Sequence, residues 1–142
     1  MASPLDKLAE AVLSSIRARL ENLEREMGEP LAYVESEDEF KRTVSTARVA
    51  VVLFSTDWCN PCKVFKPVFK RVARKLSARY PHLIFVYVDT DKLPRVADRY
   101  SIENIPATAI FVNGHVAEVM VGAMPEKNLL ESIERFAGAG KE

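Results

Sequence analysis

Cysteine is scarce in this chain of 142 residues, and its scarcity excludes several kinds of site. Two cysteines cannot build the several cross-links of a disulfide-rich secreted domain, and no second cysteine pair completes a four-ligand zinc site. The only two histidines, His82 and His115, are not spaced like a pair of metal ligands. We therefore expect no bound metal.

Net charge and long apolar runs are also missing. Twenty Lys and Arg balance twenty Asp and Glu, so electrostatics give no support to a nucleic-acid partner. No apolar stretch approaches the roughly 20 residues that cross a membrane, and Asp6, Lys7 and Glu10 interrupt any signal-peptide core. We expect a cytoplasmic protein without a membrane partner, because a reducing compartment suits so few cysteines.

Both cysteines lie in the segment Trp58-Cys59-Asn60-Pro61-Cys62-Lys63. The apolar run 49–54 before it predicts a buried strand, and the amphipathic pattern after it predicts a helix. A Cys-x-x-Cys at a strand-to-helix junction is typical of a thiol–disulfide redox site. Two intervening residues allow the first helical turn to bring both sulfurs within disulfide reach.

The helix start predicts different roles for the two cysteines. Cys59 faces unpaired backbone N–H groups and the positive end of the helix dipole, which stabilise a thiolate. Because the thiolate is the attacking form, Cys59 is the candidate nucleophile. Cys62, one turn deeper, is the candidate resolving residue. The remaining members of the segment are candidates for tuning the pair: Trp58, Asn60, Pro61 and Lys63.

Two other interpretations of the cysteine pair stay open. It could form half of a zinc site, although zinc prefers four ligands. It could also be an inert structural cross-link, although so short a loop constrains the unfolded chain little.

The hydrophobic periodicity predicts an α/β fold, with a central mixed sheet of about five strands and helices on both faces. The predicted helices span residues 4–27, 36–46, 60–80, 94–100 and 125–137. The predicted strands span residues 31–34, 48–54, 83–89, 107–112 and 116–121, the last two joined by a turn at Asn113-Gly114. We expect an N-terminal helical extension over 1–28 and a domain over 29–142.

The first predicted helix carries an apolar stripe that something must cover. It consists of Leu5, Leu8, Val12, Leu13, Ile16, Leu20, Leu23 and Met27, and its second half has heptad spacing. The short tether Gly28-Glu29-Pro30 favours docking on the domain's own surface. Two less favoured alternatives are that a second copy of the chain buries the stripe, giving a homodimer, or that a partner protein does so.

Over residues 31–137 the chain resembles the thioredoxin family. The likeness is carried by the motif around the cysteines, Pro67, Ile105-Pro106, Asn113-Gly114 and Val121-Gly122-Ala123. The resemblance implies that Pro106 is in the cis form and packs against the dithiol. It also implies a groove that holds the substrate backbone, formed by the Trp58 loop with Ile105, Pro106, Val121, Gly122 and Ala123.

This sequence departs from the family's usual pattern near the cysteines. Asn60 stands where the family usually has Gly, and Ala107 where it usually has Thr, with Thr108 next. Leu53 occupies the position of a buried Asp that is commonly assigned a role in moving the resolving cysteine's proton, and Phe85 that of its accompanying Lys. Water or the other thiol would therefore have to accept that proton.

The resemblance implies a protein-disulfide reductase, an electron carrier that works through a mixed disulfide with its substrate proteins. It binds no cofactor itself, since the chain has no Gly-rich dinucleotide motif. Its electrons would come from a thioredoxin reductase that uses NADPH. The competing functions are a protein-disulfide oxidase or isomerase using the same dithiol, and a binding module targeted by the N-terminal helix.

Overall fold

The computed structural model describes residues 3–140, apart from the side chains of residues 24–27. In this range the helices are α1 (Pro4–Met27), α2 (Glu37–Thr46), α3 (Asn60–Arg79), α4 (Pro94–Arg99) and α5 (Glu126–Glu134). The strands are β1 (Ala32–Tyr33), β2 (Val49–Ser55), β3 (Leu83–Asp89), β4 (Ala107–Val112) and β5 (His115–Val121).

The strands form one mixed sheet in the order β1-β3-β2-β4-β5. Strands β1 and β2 both run parallel to β3, their neighbour, whereas β4 is antiparallel to β2 and β5 is antiparallel to β4. The predicted α/β fold with a mixed five-stranded sheet is confirmed. Strand β2 lies at the centre, so the loop that follows it reaches the middle of the sheet edge.

Successive side chains of β2 point to opposite faces of the sheet and pack in two separate hydrophobic cores. Val51 and Leu53 pack with Phe69 of α3 on one face, whereas Val52 packs with Phe40 of α2 on the other. All seven residues of β2 are buried. Burial on both faces explains why this strand is a continuous apolar run rather than an alternating one.

Local sequence signals fix several boundaries. The hydroxyl of Ser36 accepts a hydrogen bond from the backbone N–H of Glu39 at 3.1 Å, which caps the N-terminus of α2. Asn113 and Gly114 both have positive φ, 52° and 83°, as the predicted turn between β4 and β5 requires. Helix α3 continues through Pro67.

Two elements are shorter than predicted by two residues or more. Strand β1 contains two residues instead of four. Helix α5 ends at Glu134 instead of near Ala137, because the hydrogen bonds that follow span three residues instead of four. The N–H of Phe136 donates to the carbonyl of Ile133.

Helix α1 does not dock on the domain, so the predicted self-docking is wrong for its described side chains. Seven members of its stripe are 49% to 77% exposed: Leu5, Leu8, Val12, Leu13, Ile16, Leu20 and Leu23. The reason is that the other helices already cover both faces of the sheet. The eighth member, Met27, has a side chain outside the described residues. In residues 3–140 no helix combines the length and apolarity needed to cross a membrane.

Candidate active site

The two cysteines lie at the N-terminus of α3 and are joined in a disulfide, with their Cα atoms 5.2 Å apart. Cys59 is the N-cap residue: its sulfur accepts from the backbone N–H of Cys62 at 3.3 Å, and its carbonyl accepts from that of Lys63 at 3.1 Å. Cys59 is 6% exposed and Cys62 1%. Cys59 is therefore the sulfur nearer the surface and nearer the positive helix end.

The other candidate tuning residues of α3 lie in the turn that carries the disulfide. Asn60 and Pro61 form the first turn of α3, where a proline costs no backbone hydrogen bond. Both are exposed, and so is Lys63 in the same turn. These three side chains therefore face solvent above the disulfide.

Proline 106 lies opposite Cys59 on a second segment. The Ile105-Pro106 peptide bond is cis, and the Ile105 carbonyl oxygen lies 3.9 Å from the sulfur of Cys59. The N–H of Gly122 donates to the carbonyl of Pro106 at 2.7 Å. Gly122 has a φ of +98°, which a residue with a side chain adopts only under strain. The candidate groove segments 105–106 and 121–123 therefore meet beside the disulfide.

Trp58 borders the same surface and is 67% exposed. Its indole N–H donates to the Asp91 carboxylate at 2.6 Å, which ties the motif loop to the loop after β3. Asp91 is itself positioned by Asp89, whose carboxylate accepts a hydrogen bond from the backbone N–H of Asp91 at 2.9 Å. Sequence reasoning missed Asp91, because this contact joins residues 33 apart in the chain.

Beneath the disulfide the core is apolar. Leu53 is fully buried and lies between Tyr87 of β3 and Thr108 of β4 in the sheet register. Phe85 is also buried. The hydroxyl of Thr108 is buried and has no hydrogen-bond partner among the described residues. Beneath the disulfide, Leu53 and Phe85 therefore supply neither a carboxylate nor an ammonium group.

A cavity of about 360 Å³ opens behind Cys62. It is lined by Ser55, Thr56, Asp57, Cys62, Lys63, Lys66, Pro67, Lys70 and Tyr87. Among these, Lys66 lies four residues after Cys62 and therefore on the same side of the helix.

Lys66 is held over two aromatic rings. Its ammonium nitrogen lies 5.0 Å from the ring centroid of Tyr33 and 4.6 Å from that of Tyr87, within cation–π range. Burial, together with the nearby charge of Lys70, lowers the pKa of Lys66. Burial, with a contribution from Glu29, raises the pKa of Tyr33 to about 12. Burial also raises the pKa of Tyr87.

A Cys-x-x-Cys disulfide at a helix N-terminus, opposite a cis proline and at the end of the central strand, defines the class of thioredoxin-fold proteins with a cysteine pair. A family model described as thioredoxin matches residues 32–135. The chain belongs to the thioredoxin family. Among residues 3–140, no group of three or more His, Cys, Asp or Glu side chains is placed to hold a metal ion.

Individual relatives agree with this assignment. The chloroplastic M-type thioredoxin of Spinacia oleracea is 35% identical over 103 residues, covering 71% of this chain and 55% of that protein. The thioredoxin of Chlamydia trachomatis is 31% identical over 105 residues, covering 74% and 98%. The solved thioredoxin of Malassezia sympodialis superposes with a TM-score of 0.70 at 27% identity, covering 78% and 94%. The chain thus spans little more than half of the spinach protein.

Proposed function

We propose that this protein is a thiol–disulfide oxidoreductase that reduces disulfide bonds in other proteins through Cys59 and Cys62. The observation that carries the proposal is the disulfide at the start of α3, with the carbonyl oxygen of Ile105 3.9 Å from the sulfur of Cys59. A cysteine pair that opens and closes there can exchange with a disulfide lying on the same surface.

The reaction runs in two exchange steps. The thiolate of reduced Cys59 attacks one sulfur of the substrate disulfide and forms a mixed disulfide, and the other substrate sulfur leaves as a thiolate. Cys62 then loses its proton and attacks the sulfur of Cys59. The second substrate sulfur leaves and takes up a proton, so the substrate gains two electrons and the enzyme keeps a Cys59–Cys62 disulfide.

The surface beside Cys59 fits an extended peptide. Its borders are an exposed tryptophan, the cis-proline segment and the strand end at residues 121–123, of which Val121 is 62% exposed. Exposed apolar side chains beside the end of a strand suit an extended peptide. We assign the groove to Trp58, Ile105, Pro106, Val121, Gly122 and Ala123.

The electron donor and the compartment follow from this proposal. Each turnover leaves the enzyme oxidised, so a reductase must restore the dithiol, and by family likeness this is a thioredoxin reductase that uses NADPH. We place the protein in a reducing compartment, with the cytoplasm as the assignment, because its only two cysteines both belong to the redox pair. The domain that does this chemistry spans residues 29–142, and residues 1–28 form a helical extension.

The test combines two measurements on the full chain. The first is the reduction potential of the Cys59–Cys62 couple against glutathione, and the second is turnover of a protein disulfide with a chemical dithiol as electron source. A reductase should show turnover and a potential at or below the cytosolic glutathione value of about −220 to −260 mV. A potential well above that range would identify an oxidase or isomerase. An absence of turnover would identify a binding module.

A further inference from the structure

In the resolving step Cys62 must lose its proton, and the resulting thiolate needs a group that stabilises it. Cys62 is 1% exposed, and a thiolate at such a site carries a desolvation cost. Leu53 and Phe85 supply no charge beneath it. The polar groups that do approach Cys62 line the cavity behind it.

The cavity contains a buried polar group that water molecules can pair with. The hydroxyl of Thr56 is buried, at 2% exposure for the residue, and has no partner among the described residues. Buried hydroxyls are nearly always hydrogen-bonded, to protein or to ordered water. A cavity of about 360 Å³ has room for several water molecules at about 30 Å³ each. Water in this cavity can therefore pair with Thr56 and reach Cys62.

Of the three lysines that line the cavity, Lys66 is placed to act on Cys62. Lys63 is exposed, so water screens its charge. The ammonium of Lys70 is paired with the carboxylate of Glu29 at 3.2 Å. Lys66 is half-buried and held in place by the rings of Tyr33 and Tyr87. Its charge therefore acts through a medium that screens it less than bulk water does.

We propose that Lys66 is a positioning residue for the resolving step, and that its ammonium stabilises the thiolate of Cys62 across the cavity in place of a buried carboxylate. The inference rests on the proposed function for its role in turnover. Cys62 releases its proton to water in the cavity, its sulfur attacks Cys59, the bond from Cys59 to the substrate sulfur breaks, and the departing sulfur takes a proton from solvent. Lys66 keeps its own proton throughout.

Other charged and titratable groups lie around Cys62 and Lys66, and each enters the interpretation of a pH profile. Lys63, Lys70, Asp57 and Tyr87 line the same cavity. Tyr33, Glu35, Asp89 and Lys92 line an adjoining cavity that shares Asp57, Lys66 and Tyr87, and Glu29 is paired with Lys70. Asp57 is the carboxylate that lines the main cavity. It is the competing candidate, because a carboxylate could accept the proton of Cys62 itself.

The first experiment measures the titration of Cys62 without any substrate. In a Cys59→Ser background, Cys62 is the only thiol, and its rate of alkylation by iodoacetamide against pH gives its pKa. Lys66→Met keeps the apolar length and removes the charge, so we expect the thiolate fraction at pH 7 to fall about tenfold, equivalent to one pH unit. Lys66→Arg should restore it. Lys75→Met, which removes a lysine outside the cavity, is the matched control and should leave it unchanged.

The second experiment follows the dithiol protein through one turnover. Lys66→Met should slow release of the second substrate thiol about tenfold at neutral pH and leave the initial attack by Cys59 unchanged. The inference is overturned if the titration of Cys62 is the same with and without Lys66. It is also overturned if Lys66→Arg fails to restore it, which would indicate a packing role, or if Asp57→Asn alone slows release.

These outcomes are separate from failure of the proposed function, because alkylation needs no substrate. A protein whose Cys62 titration depends on Lys66 but which reduces no disulfide would reject the proposed function and keep this inference. Denaturant midpoints of every variant show whether each is folded.

Discussion

Strand β2 and helix α1 both carry long apolar patterns, and the environments of those patterns are opposite. All seven residues of β2 are buried, whereas seven large apolar residues of α1 are about half exposed or more. Strand β2 has neighbours on both sheet edges and helices on both faces. An apolar pattern thus indicates a surface that is stabilised by burial. The arrangement of the rest of the chain decides whether that surface is buried.

The chemistry follows the same division. Every candidate catalytic, tuning and groove residue belongs to β2's loop, to α3 or to the ends of β4 and β5. None lies on α1. Changes near β2 should therefore alter activity and stability, whereas changes on α1 should alter neither.

Replacing the two cysteines should have the largest effect. Cys59→Ser should abolish disulfide reduction, because no attacking thiolate remains. Cys62→Ser should instead accumulate a mixed disulfide between Cys59 and substrate, because attack survives and resolution does not. Non-reducing gels and mass spectrometry detect the trapped species. If both variants behave alike, the assignment of nucleophile and resolving residue is wrong.

A matched pair of leucine substitutions compares the two regions directly. Leu53→Asp should reduce the free energy of unfolding by a few kcal/mol, because the carboxyl must stay protonated or lose its hydration, and apolar contacts are lost as well. Leu13→Asp in α1 introduces the same carboxylate at a residue that is 59% exposed, so the change should stay within about 0.5 kcal/mol. Denaturant midpoints of the two variants measure both. Equal losses would contradict the contrast.

A smaller effect is expected from Tyr33, whose ring lies beside the ammonium of Lys66. Its pKa is about 12 in the folded protein and about 10 in an unfolded chain. The fold therefore favours the neutral phenol, and this contribution to stability is complete below pH 10 and is lost as pH rises through 12. Wild-type protein should lose more stability than Tyr33→Phe between pH 10 and 12. Tyr33→Phe keeps the ring and removes only the ionisable hydroxyl, so equal losses in the two proteins would contradict the raised pKa of Tyr33.

The smallest effect should come from removing α1. Deletion of residues 1–28 should leave disulfide turnover within about twofold of the full chain, since no site residue lies there. The free energy of unfolding of the remaining domain should also be unchanged, because α1 buries little on it. Sedimentation velocity on both proteins, beside the activity assay, reports whether α1 pairs two copies. A truncated protein that folds but cannot turn over would show that the helix belongs to the active site.

Much of the fold and the geometry of the cysteine pair could be predicted from the sequence, because both depend on residues close together in the chain. The periodicity of residues 49–54 and 60–80 predicts the strand and helix that hold the cysteines, Ser36 with Glu39 predicts a helix start, and Asn113-Gly114 predicts a turn. The Cys-x-x-Cys spacing places both sulfurs in one helical turn, so disulfide geometry is already contained in four consecutive residues.

Only the tertiary structure decided what lies around those sulfurs. Tyr33, Lys66 and Tyr87 meet because β1 and β3 are neighbours beneath α3, and neither strand carries a local signal for that meeting. Asp91 reaches Trp58 because β2 and β3 are parallel neighbours, so the loops that follow them lie at the same edge of the sheet. The exposure of α1 was likewise undetermined, because local periodicity fixes which face of a helix is apolar, whereas the arrangement of the remaining chain fixes whether anything covers it.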